Sequence, residues 1–474
     1  MRVFLVLLKI NSNCQWHVGL SYISAVLKKG GHDVELFELE NFHEQNHFLL
    51  ERIKEFRPGV IGISSNSHQF KYVDILAKEI KDCVSVPIFL GGVHTTLNPE
   101  NIKELKYVDG VCIGEGEEAF LELVNAINNK RNLTDIKNFW IKHGGEVIKN
   151  TSRPLIENLN FLPFPDRSIF NYFKEKKTKK VPRFIFSRGC PFDCAYCCNH
   201  AIKKVYKDLG KYVRFRTVNM AIAEIEAELQ KYNFSHFKLD DDTFSLNKSW
   251  LKEFCNTIAI KNWNLTFECN VRPGTIDAEA MNALKKGGCT LVKIGIETGN
   301  EALRKEVLNR KFSNQDIIKT FKIAKENGIK TFSFNMIGIP GENRTTIKET
   351  IDLNAKIKPD FMQVTIFYPY RGTVLGDECF RKGYVERFSE DSYMEKSSLK
   401  LPGISRHLIE KSAKNFKFKV YWHYDKKKAL KEAILIVKMF ILSNFVLCFV
   451  FKKARILVKN IKKIRLTLIR KMIK

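Results

Sequence analysis

From Arg2 onward, short apolar runs ending in glycine, serine or acidic residues alternate with segments whose apolar residues recur at helical spacing. That alternation admits few folds, because neighbouring parallel strands need long crossover connections and helices supply them. In the first part of the chain Arg2 to Leu8, Val34 to Leu39, Val60 to Ser64, Pro87 to Leu90 and Gly110 to Ile113 read as strands. His17 to Lys29, with Leu20, Ile23 and Leu27 on one face, Phe48 to Phe56 and Val73 to Ile80 read as helices between them. The pattern predicts an α/β fold with a doubly wound parallel sheet, whose ligand crevice lies at the carboxyl ends of the strands. Three of those ends carry small or polar residues: Ser64-Ser65-Asn66, Gly91-Gly92-Val93-His94 and Gly114-Glu115-Gly116. Glycine at such an end lets a large ligand approach the backbone.

A second series begins beyond the stretch Leu155 to Asp166, which carries Pro163 and Pro165. A strand-like run from Pro182 to Ser187 leads into it, and Phe237 to Leu239, Thr266 to Asn270, Leu291 to Ile296, Thr331 to Ile337 and Gln363 to Phe367 continue it. Val218 to Lys231, Lys248 to Ala259, Glu279 to Lys286 and Asn314 to Asn327 are the intervening helices. Six such units predict a partial (β/α)6 barrel, with its reactive groups at the strand carboxyl ends. The ends carry Asp240-Asp241-Asp242, Glu297-Thr298-Gly299 and Gly338-Ile339-Pro340-Gly341-Glu342. The expected organisation is a sheet domain over 1–150, a linker over 151–180, the partial barrel over 181–375 and a helical region over 376–474.

The first strand of the barrel runs into Cys190-Pro191-Phe192-Asp193-Cys194-Ala195-Tyr196-Cys197, a C-x3-C-x2-C array. Closed structural metal sites take four protein ligands, so a compact trio suggests an iron kept open for a small molecule. Cys198 follows directly. Adjacent residues on a tight loop point in different directions, so Cys198 reads as a packed or partly exposed thiol and not as a fourth ligand.

The array resembles the signature of the radical S-adenosylmethionine (SAM) enzymes, in which the open iron of a [4Fe-4S] cluster binds SAM and an aromatic residue precedes the last cysteine, as Tyr196 does here. The resemblance extends from Val181 to about Thr373. It implies Cys190, Cys194 and Cys197 as catalytic and metal-ligating residues. It also implies Asp240, Asp241 and Asp242 near the SAM amino group, Glu297 near the ribose or sulfonium, and Gly338, Pro340 and Gly341 against the adenine. The first segment in turn resembles the cobalamin-binding domain that precedes the barrel in many such enzymes, on Gly91-Gly92-Val93-His94-Thr95-Thr96 and Gly114-Glu115-Gly116-Glu117. Ser64, Ser65, Gly91, Gly92, His94, Gly114 and Glu115 are then the implied cobalamin-binding residues. The Asp-x-His-x-x-Gly loop that lends a histidine to cobalt is absent, and Asn11 to His17 stands in its place. The resemblance therefore implies cobalt without that lower ligand, although His17 could approach the corrin.

Together the two resemblances imply a radical SAM enzyme using a [4Fe-4S] cluster, SAM and cobalamin to methylate an unactivated carbon, while some relatives catalyse cyclisation or rearrangement. The motifs bind cofactors and do not name the acceptor, which is a small-molecule or lipid-like substrate. A low-potential electron donor of flavodoxin or ferredoxin type is the implied partner. An RNA-modifying, methylthiotransferase-like enzyme and a cofactor-binding sensor stay open as alternatives, but Cys14, Cys83 and Cys112 are too scattered for the second cysteine trio of the former.

Charge separates the partners further. Of the formal +27, residues 401–474 hold +17, from 20 Lys and Arg against Glu410, Asp425 and Glu432. The excess is a tail property, which makes nucleic acid the weaker expectation. Ala433 to Phe451 is nearly all apolar, short of the roughly 20 apolar residues of a spanning helix. Beyond it Leu457, Ile461, Ile464, Leu468 and Met472 follow helical spacing with lysines and arginines on the other faces, as in a helix lying on an anionic membrane surface. The 12 cysteines are too dispersed for a disulfide framework, and Met1 to Leu8 is too short for a secretory segment. The expected location is cytoplasmic, with peripheral association on the inner face of the membrane.

Overall fold

The computed structural model describes residues 1–10, 16–174, 180–385, 394 and 396–443, the side chains of 439–443 excepted. Its first sheet contains β1 (Arg2–Leu8), β2 (Asp33–Leu39), β3 (Val60–Ser64), β4 (Ile88–Gly91) and β5 (Gly110–Cys112), followed by β6 (Phe139–His143) and β7 (Glu146–Lys149). Their order is β2-β1-β3-β4-β5-β6-β7. The first five are parallel, and β6 and β7 run antiparallel at the edge. The strand order reverses between β1 and β3, which opens a crevice at their carboxyl ends.

Helices α1 (Val18–Lys29), α2 (Phe42–Phe56), α3 (Val73–Cys83), α4 (Val93–Leu97) and α5 (Glu117–Asn128) connect these strands. Alternation along β1 builds the two apolar layers. Val3, Leu5 and Leu7 pack with Leu20, Leu27, Phe120 and Leu123 on one face, and Phe4, Val6 and Leu8 with Leu49, Ile53, Leu76 and Ile80 on the other. The β6–β7 hairpin was not expected from the strand–helix pattern. It turns at Gly144 and Gly145, both at positive φ, between runs too short to carry a clear period. Helix α2 also starts earlier than its apolar spacing suggests, at Phe42, which is buried although the residues after it are largely polar.

The expected linker is partly structured. It contains short 3-10 turns and α6 (Asn171–Lys174) before β8 (Arg183–Phe184). The strand-like run at Pro182 divides: β8 joins the barrel sheet, whereas β9 (Ser187–Arg188) pairs antiparallel with β10 (Arg214–Phe215), with α7 (Cys198–Val205) between them. The sheet continues through α8 (Val218–Lys231), β11 (His236–Leu239), α9 (Lys248–Lys261), β12 (Thr266–Val271), α10 (Ala278–Lys286), β13 (Cys289–Glu297), α11 (Asn314–Glu326), β14 (Lys330–Ile337), α12 (Arg344–Ile357) and β15 (Phe361–Ile366). Its six parallel strands have the order β15-β14-β13-β12-β11-β8. Phe184, Phe186, Phe237, Phe254 and Phe267 fill the core between strands and helices.

After α13 (Val374–Arg381), α14 (Arg406–Trp422) packs through Ile409, Phe416 and Val420 onto the α12 and β15 side of the barrel. Next, α15 (Lys426–Ser443) takes in residues 433–443 of the apolar segment Ala433 to Phe451, and the rest of that segment lies outside the described residues. No helix among the described residues is long and apolar enough to cross a membrane. The basic helix expected from Leu457 to Met472 lies outside the described residues.

A buried ionic network binds the linker to the barrel. Arg167 and Arg216 reach the Glu224 carboxylate on α8 at 2.7 and 3.4 Å, and all three side chains are almost wholly buried. Arg167 also stacks on Trp16 of the first unit and Phe184 of β8, while Arg216 donates to the carbonyls of Leu162 and Pro163. Removing one partner of such a group leaves uncompensated charge in the core. Glu224→Ala is expected to destabilise the protein by about 3–5 kcal/mol, read as a lowered Tm; an unchanged Tm would show that the network carries no stability.

Candidate functional site

The cysteine array occupies the loop between β9 and α7 and is pinned from several sides. The Ala195 amide donates to the Leu308 carbonyl, the Leu375 amide donates to the Ala195 carbonyl, and the Asn309 side chain donates to the Asp193 carbonyl. Cys194 is buried, while Cys190 and Cys197 are partly exposed. Cys190 Sγ lies 4.0 Å from Thr243 Oγ1, and Cys194 Sγ accepts from Arg272 Nη1 at 3.4 Å. Among the described residues no group of three His, Cys, Asp or Glu side chains is placed to hold one metal ion. Cys198 opens α7, and its neighbouring thiol together with burial holds Cys197 well above the usual thiol range.

A cavity of about 540 Å³ lies beside the segment that leads into this loop, although Cys190, Cys194 and Cys197 do not themselves line it. One wall consists of the strand ends Ser64 to Asn66, Gly91 to Val93 and Gly114 to Glu117. The other includes Ser187, Arg188 and Gly189, which lead into Cys190, together with Tyr212 and Asp242. Gly92, at φ +115°, is required by the protein's own packing, since a Cβ would come 2.4 Å from the Ser65 carbonyl oxygen. One observation fits a polar ligand here. Ser65 Oγ is buried on the cavity wall without a partner, available to a ligand's polar group.

His17 and His94 are both engaged by protein through Nδ1. His17 Nδ1 accepts the Leu20 amide as the N-cap of α1, which leaves the proton on Nε2, 3.5 Å from Ser64 Oγ. Burial lowers its pKa to about 4. His94 is buried, packs on Phe70 and bonds Ser67 Oγ through Nδ1, with burial again lowering its pKa to about 4. His94 does not line the cavity.

Glu115 faces protein. Its carboxylate is held by Arg188 at 3.0 Å and by both terminal nitrogens of Arg214 at 2.7 and 3.1 Å, and Glu117 takes the other Arg188 nitrogen at 2.5 Å. Burial works to raise the Glu115 carboxyl, but the two guanidinium groups hold it below the usual range. The strand end assigned to the first unit is thus tied to the residue two before Cys190. Arg188 and Arg214 gave no sign of this in sequence, because they lie 71 and 99 residues from carboxylates they meet only in the fold.

The acidic turn after β11 divides three ways. Asp240 pairs with Arg183, and Asp241 accepts from the Phe186 and Ser187 amides and the Ser187 hydroxyl. Asp242 alone of the three lines the cavity, where burial raises its pKa. Asp240 and Asp241 are thus engaged by protein donors, Asp241 through Oδ1 alone, while its Oδ2 stays buried without a hydrogen-bond partner among the described residues and burial raises its carboxyl to about 7. At the end of β13, Glu297 accepts from the Tyr196 hydroxyl at 3.0 Å and pairs with Arg310 at 3.3 Å, and Arg310 also donates to Tyr196 at 2.7 Å. Glu297, placed by sequence near a ribose, is therefore bound into a trio that supports the cysteine loop. Gly338 and Gly341 adopt φ of 86° and 85°, and the Gly338 amide donates to buried Glu342, whose carboxyl burial raises to about 8. Glu342 Oε1 has no protein partner.

Comparison with known proteins follows the same division. The family described as Radical SAM superfamily matches residues 184–353, and the B12 binding domain matches residues 7–124. An uncharacterised methyltransferase of Pyrococcus horikoshii is 30% identical over 364 residues, covering 76% of this chain and 77% of the relative. The anaerobic magnesium-protoporphyrin IX monomethyl ester cyclase of Rubrivivax gelatinosus is 26% identical, covering 79% and 68%. The structure of TsrM, a radical S-adenosylmethionine methyltransferase from Kitasatospora setae with cobalamin and a [4Fe-4S] cluster bound, shares the fold at a TM-score of 0.68 and 17% identity, covering 86% of this chain and 84% of that one.

The loop geometry separates the fourth thiol from the other three. After anaerobic reconstitution, Cys198→Ser is expected to retain the iron and sulfide content of the parent, and Cys190→Ser, Cys194→Ser and Cys197→Ser each to lose it. Iron loss confined to Cys198→Ser and not Cys197→Ser would exchange the two neighbours.

Proposed function

The chain belongs to the radical SAM superfamily, in the group whose barrel follows a B12-binding domain, and from that membership we propose a cobalamin-dependent C-methyltransferase acting on an unactivated carbon of a small-molecule or lipid-like substrate. Its cofactors are a [4Fe-4S] cluster, SAM and cobalamin. One observation carries the reading: a single cavity is bounded by the carboxyl ends of β3, β4 and β5 and by the segment that enters the cysteine loop. When bound, the cluster supplies a low-potential electron to SAM and the cobalamin a transferable methyl group.

In this reading Cys190, Cys194 and Cys197 hold the cluster, with Tyr196 fixed behind it by Glu297 and Arg310. Ser64, Ser65, Gly91, Gly92 and Gly114 form the cobalamin wall, with Ser65 Oγ free to bond its periphery. Asp242 accepts from the SAM amino group, and Gly338, Pro340 and Gly341 leave room for the adenine. Glu115 holds the two walls in register, and His94 packs behind the cobalamin wall. The work of these residues is to bind, orient and exclude water. A reductase of flavodoxin or ferredoxin type delivers the electron. The methyltransferase relative supports methyl transfer, and the cyclase relative makes ring closure the competing outcome.

The test is reconstitution with iron, sulfide and cobalamin, followed by incubation with reductant and SAM labelled in its methyl group. A bound-cobalamin spectrum, 5′-deoxyadenosine and transfer of label to a carbon of a small molecule or lipid are expected. Absence of both the spectrum and 5′-deoxyadenosine overturns the reading, whereas 5′-deoxyadenosine with an unlabelled, cyclised product selects ring closure.

The same enzyme is proposed to dock on anionic membrane. On α15, Leu430, Ile434 and Val437 form one stripe that is 62%, 59% and 56% exposed, with Lys427, Lys431 and Lys438 beside it. Beyond residue 443 the sequence adds ten Lys and Arg and no acidic residue. Two like-charged segments gain little by covering each other, but both gain at an anionic surface, by about 1 kcal/mol per basic residue together with apolar burial. Co-sedimentation with phosphatidylglycerol vesicles, weak with phosphatidylcholine and reduced by the double substitution Leu430→Ser and Ile434→Ser, is expected. Equal binding to both lipids, or none to either, removes the proposal.

A further inference from the structure

Arg272 follows β12 directly and reaches under the cysteine loop. Its guanidinium carbon lies 3.9 Å from the centre of the Phe192 ring and 5.1 Å from that of Phe312, and its Nη1 donates to Cys194 Sγ at 3.4 Å. Among the described residues no carboxylate pairs with it. Arg310, 5.0 Å from the centre of the same Phe312 ring, is by contrast matched by Glu297. Burial lowers the pKa of Arg272, and the neighbouring positive charge of Arg310 lowers it further. A half-buried cation between two aromatic faces needs a negative partner, since the rings stabilise it only in part. The group presented to it is the sulfur of Cys194.

We propose that Arg272 is the counter-cation of the Cys194 thiolate in the cluster-bound protein and thereby raises the reduction potential of the cluster. The inference rests on the reading that Cys190, Cys194 and Cys197 hold a [4Fe-4S] cluster. Reduction transfers one electron from the low-potential donor to the cluster; no bond forms or breaks and no proton moves. The negative charge of the cluster and its thiolates rises by one, and a fixed positive charge beside a ligand sulfur stabilises the reduced state more than the oxidised one. Net charge and hydrogen bonds to the sulfurs are the two levers by which protein sets such potentials, and Arg272 applies both. Because a guanidinium keeps its proton throughout the usual pH range, its effect does not vary with pH. The rings of Phe192 and Phe312 hold its plane, so the guanidinium need not reorganise when the electron arrives.

The experiment is an EPR-monitored redox titration of the full chain, reconstituted anaerobically, without SAM and then with it. Arg272→Gln, which keeps polarity and loses charge, is expected to retain its iron and to shift the one-electron equilibrium at least tenfold toward the oxidised state, a fall of about 59 mV or more in midpoint. Arg272→Lys keeps the charge but loses the planar fork, and its midpoint is expected between those of Gln and the parent at every pH tested. A midpoint unchanged or raised in either variant overturns the proposal, as does an unchanged midpoint accompanied by weakened SAM binding, which would make Arg272 a SAM-carboxylate ligand. Should Arg272→Gln fail to assemble a cluster, the Lys variant decides, and iron loss from both also overturns the proposal. Failure of the parent protein itself to take up iron and sulfide would instead sink the premise about the three cysteines.

Discussion

The Glu115 carboxylate, clasped by Arg188 and Arg214, is the interaction on which the rest of the site depends. Each sheet presents ligand-binding residues at the carboxyl ends of its strands, but neither sheet by itself determines where the other's ends will lie. Glu115 sits where β5 gives way to α5, and Arg188 lies two residues before the first cysteine of the array. A contact between them sets the distance from the glycine-lined wall to the cysteine loop. Its placement is unforgiving, because the carboxylate is largely buried and would be costly there without both cations. Gly114 contributes by being small: at φ +81° its Cβ would overlap the Tyr206 hydroxyl, which accepts the Glu115 amide. The backbone at the end of β5 can therefore approach α7, the helix that begins immediately after the cysteines.

What could be read in the sequence follows from how local each signal is. The three cysteines, the Gly91-Gly92 pair and the strand–helix alternation are features of a few consecutive residues, and the parallel sheets and the position of the cysteine loop after the first barrel strand were visible in them. The cation partners were not. Arg188, Arg214, Arg272 and Arg310 are unremarkable in sequence and acquire meaning only when folding brings Glu115, Cys194 and Glu297 against them. The three aspartates show the same limit. A run of identical residues at a strand end gives no hint that one turns toward Arg183, the next back into the Ser187 amide and the third into the cavity, because that division depends on backbone direction at each position.

His17 illustrates how local chemistry removes a plausible function. A histidine near the β1 end of the crevice is where a cobalt ligand would be sought. In the fold its Nδ1 completes the first turn of α1, and its buried ring stays neutral with the remaining proton directed toward Ser64. Ligation through Nε2 would require that proton to leave, and a shift of tautomer would forfeit the cap, a contribution of about 1 kcal/mol for capping side chains in general. The role left to His17 is to hold the start of α1 at the cavity rim.

Positive charge around the cysteine loop is arranged in two ways. Arg188 and Arg310 are neutralised by carboxylates, and each serves to hold backbone: Arg188 the strand entering the loop, Arg310 the Gly295 carbonyl beneath it. Their electrostatic influence on anything bound at the cysteines is consequently damped. Arg272 alone among these three reaches the loop without a carboxylate, so its field falls undiminished on Cys194, and low polarity between two phenylalanine rings strengthens it. Paired arginines fix where the loop is, and the unpaired one governs how much negative charge the loop can bear. That separation allows geometry and potential to vary independently, because substituting the unpaired cation leaves every tie of the loop to Leu308, Asn309 and Leu375 in place.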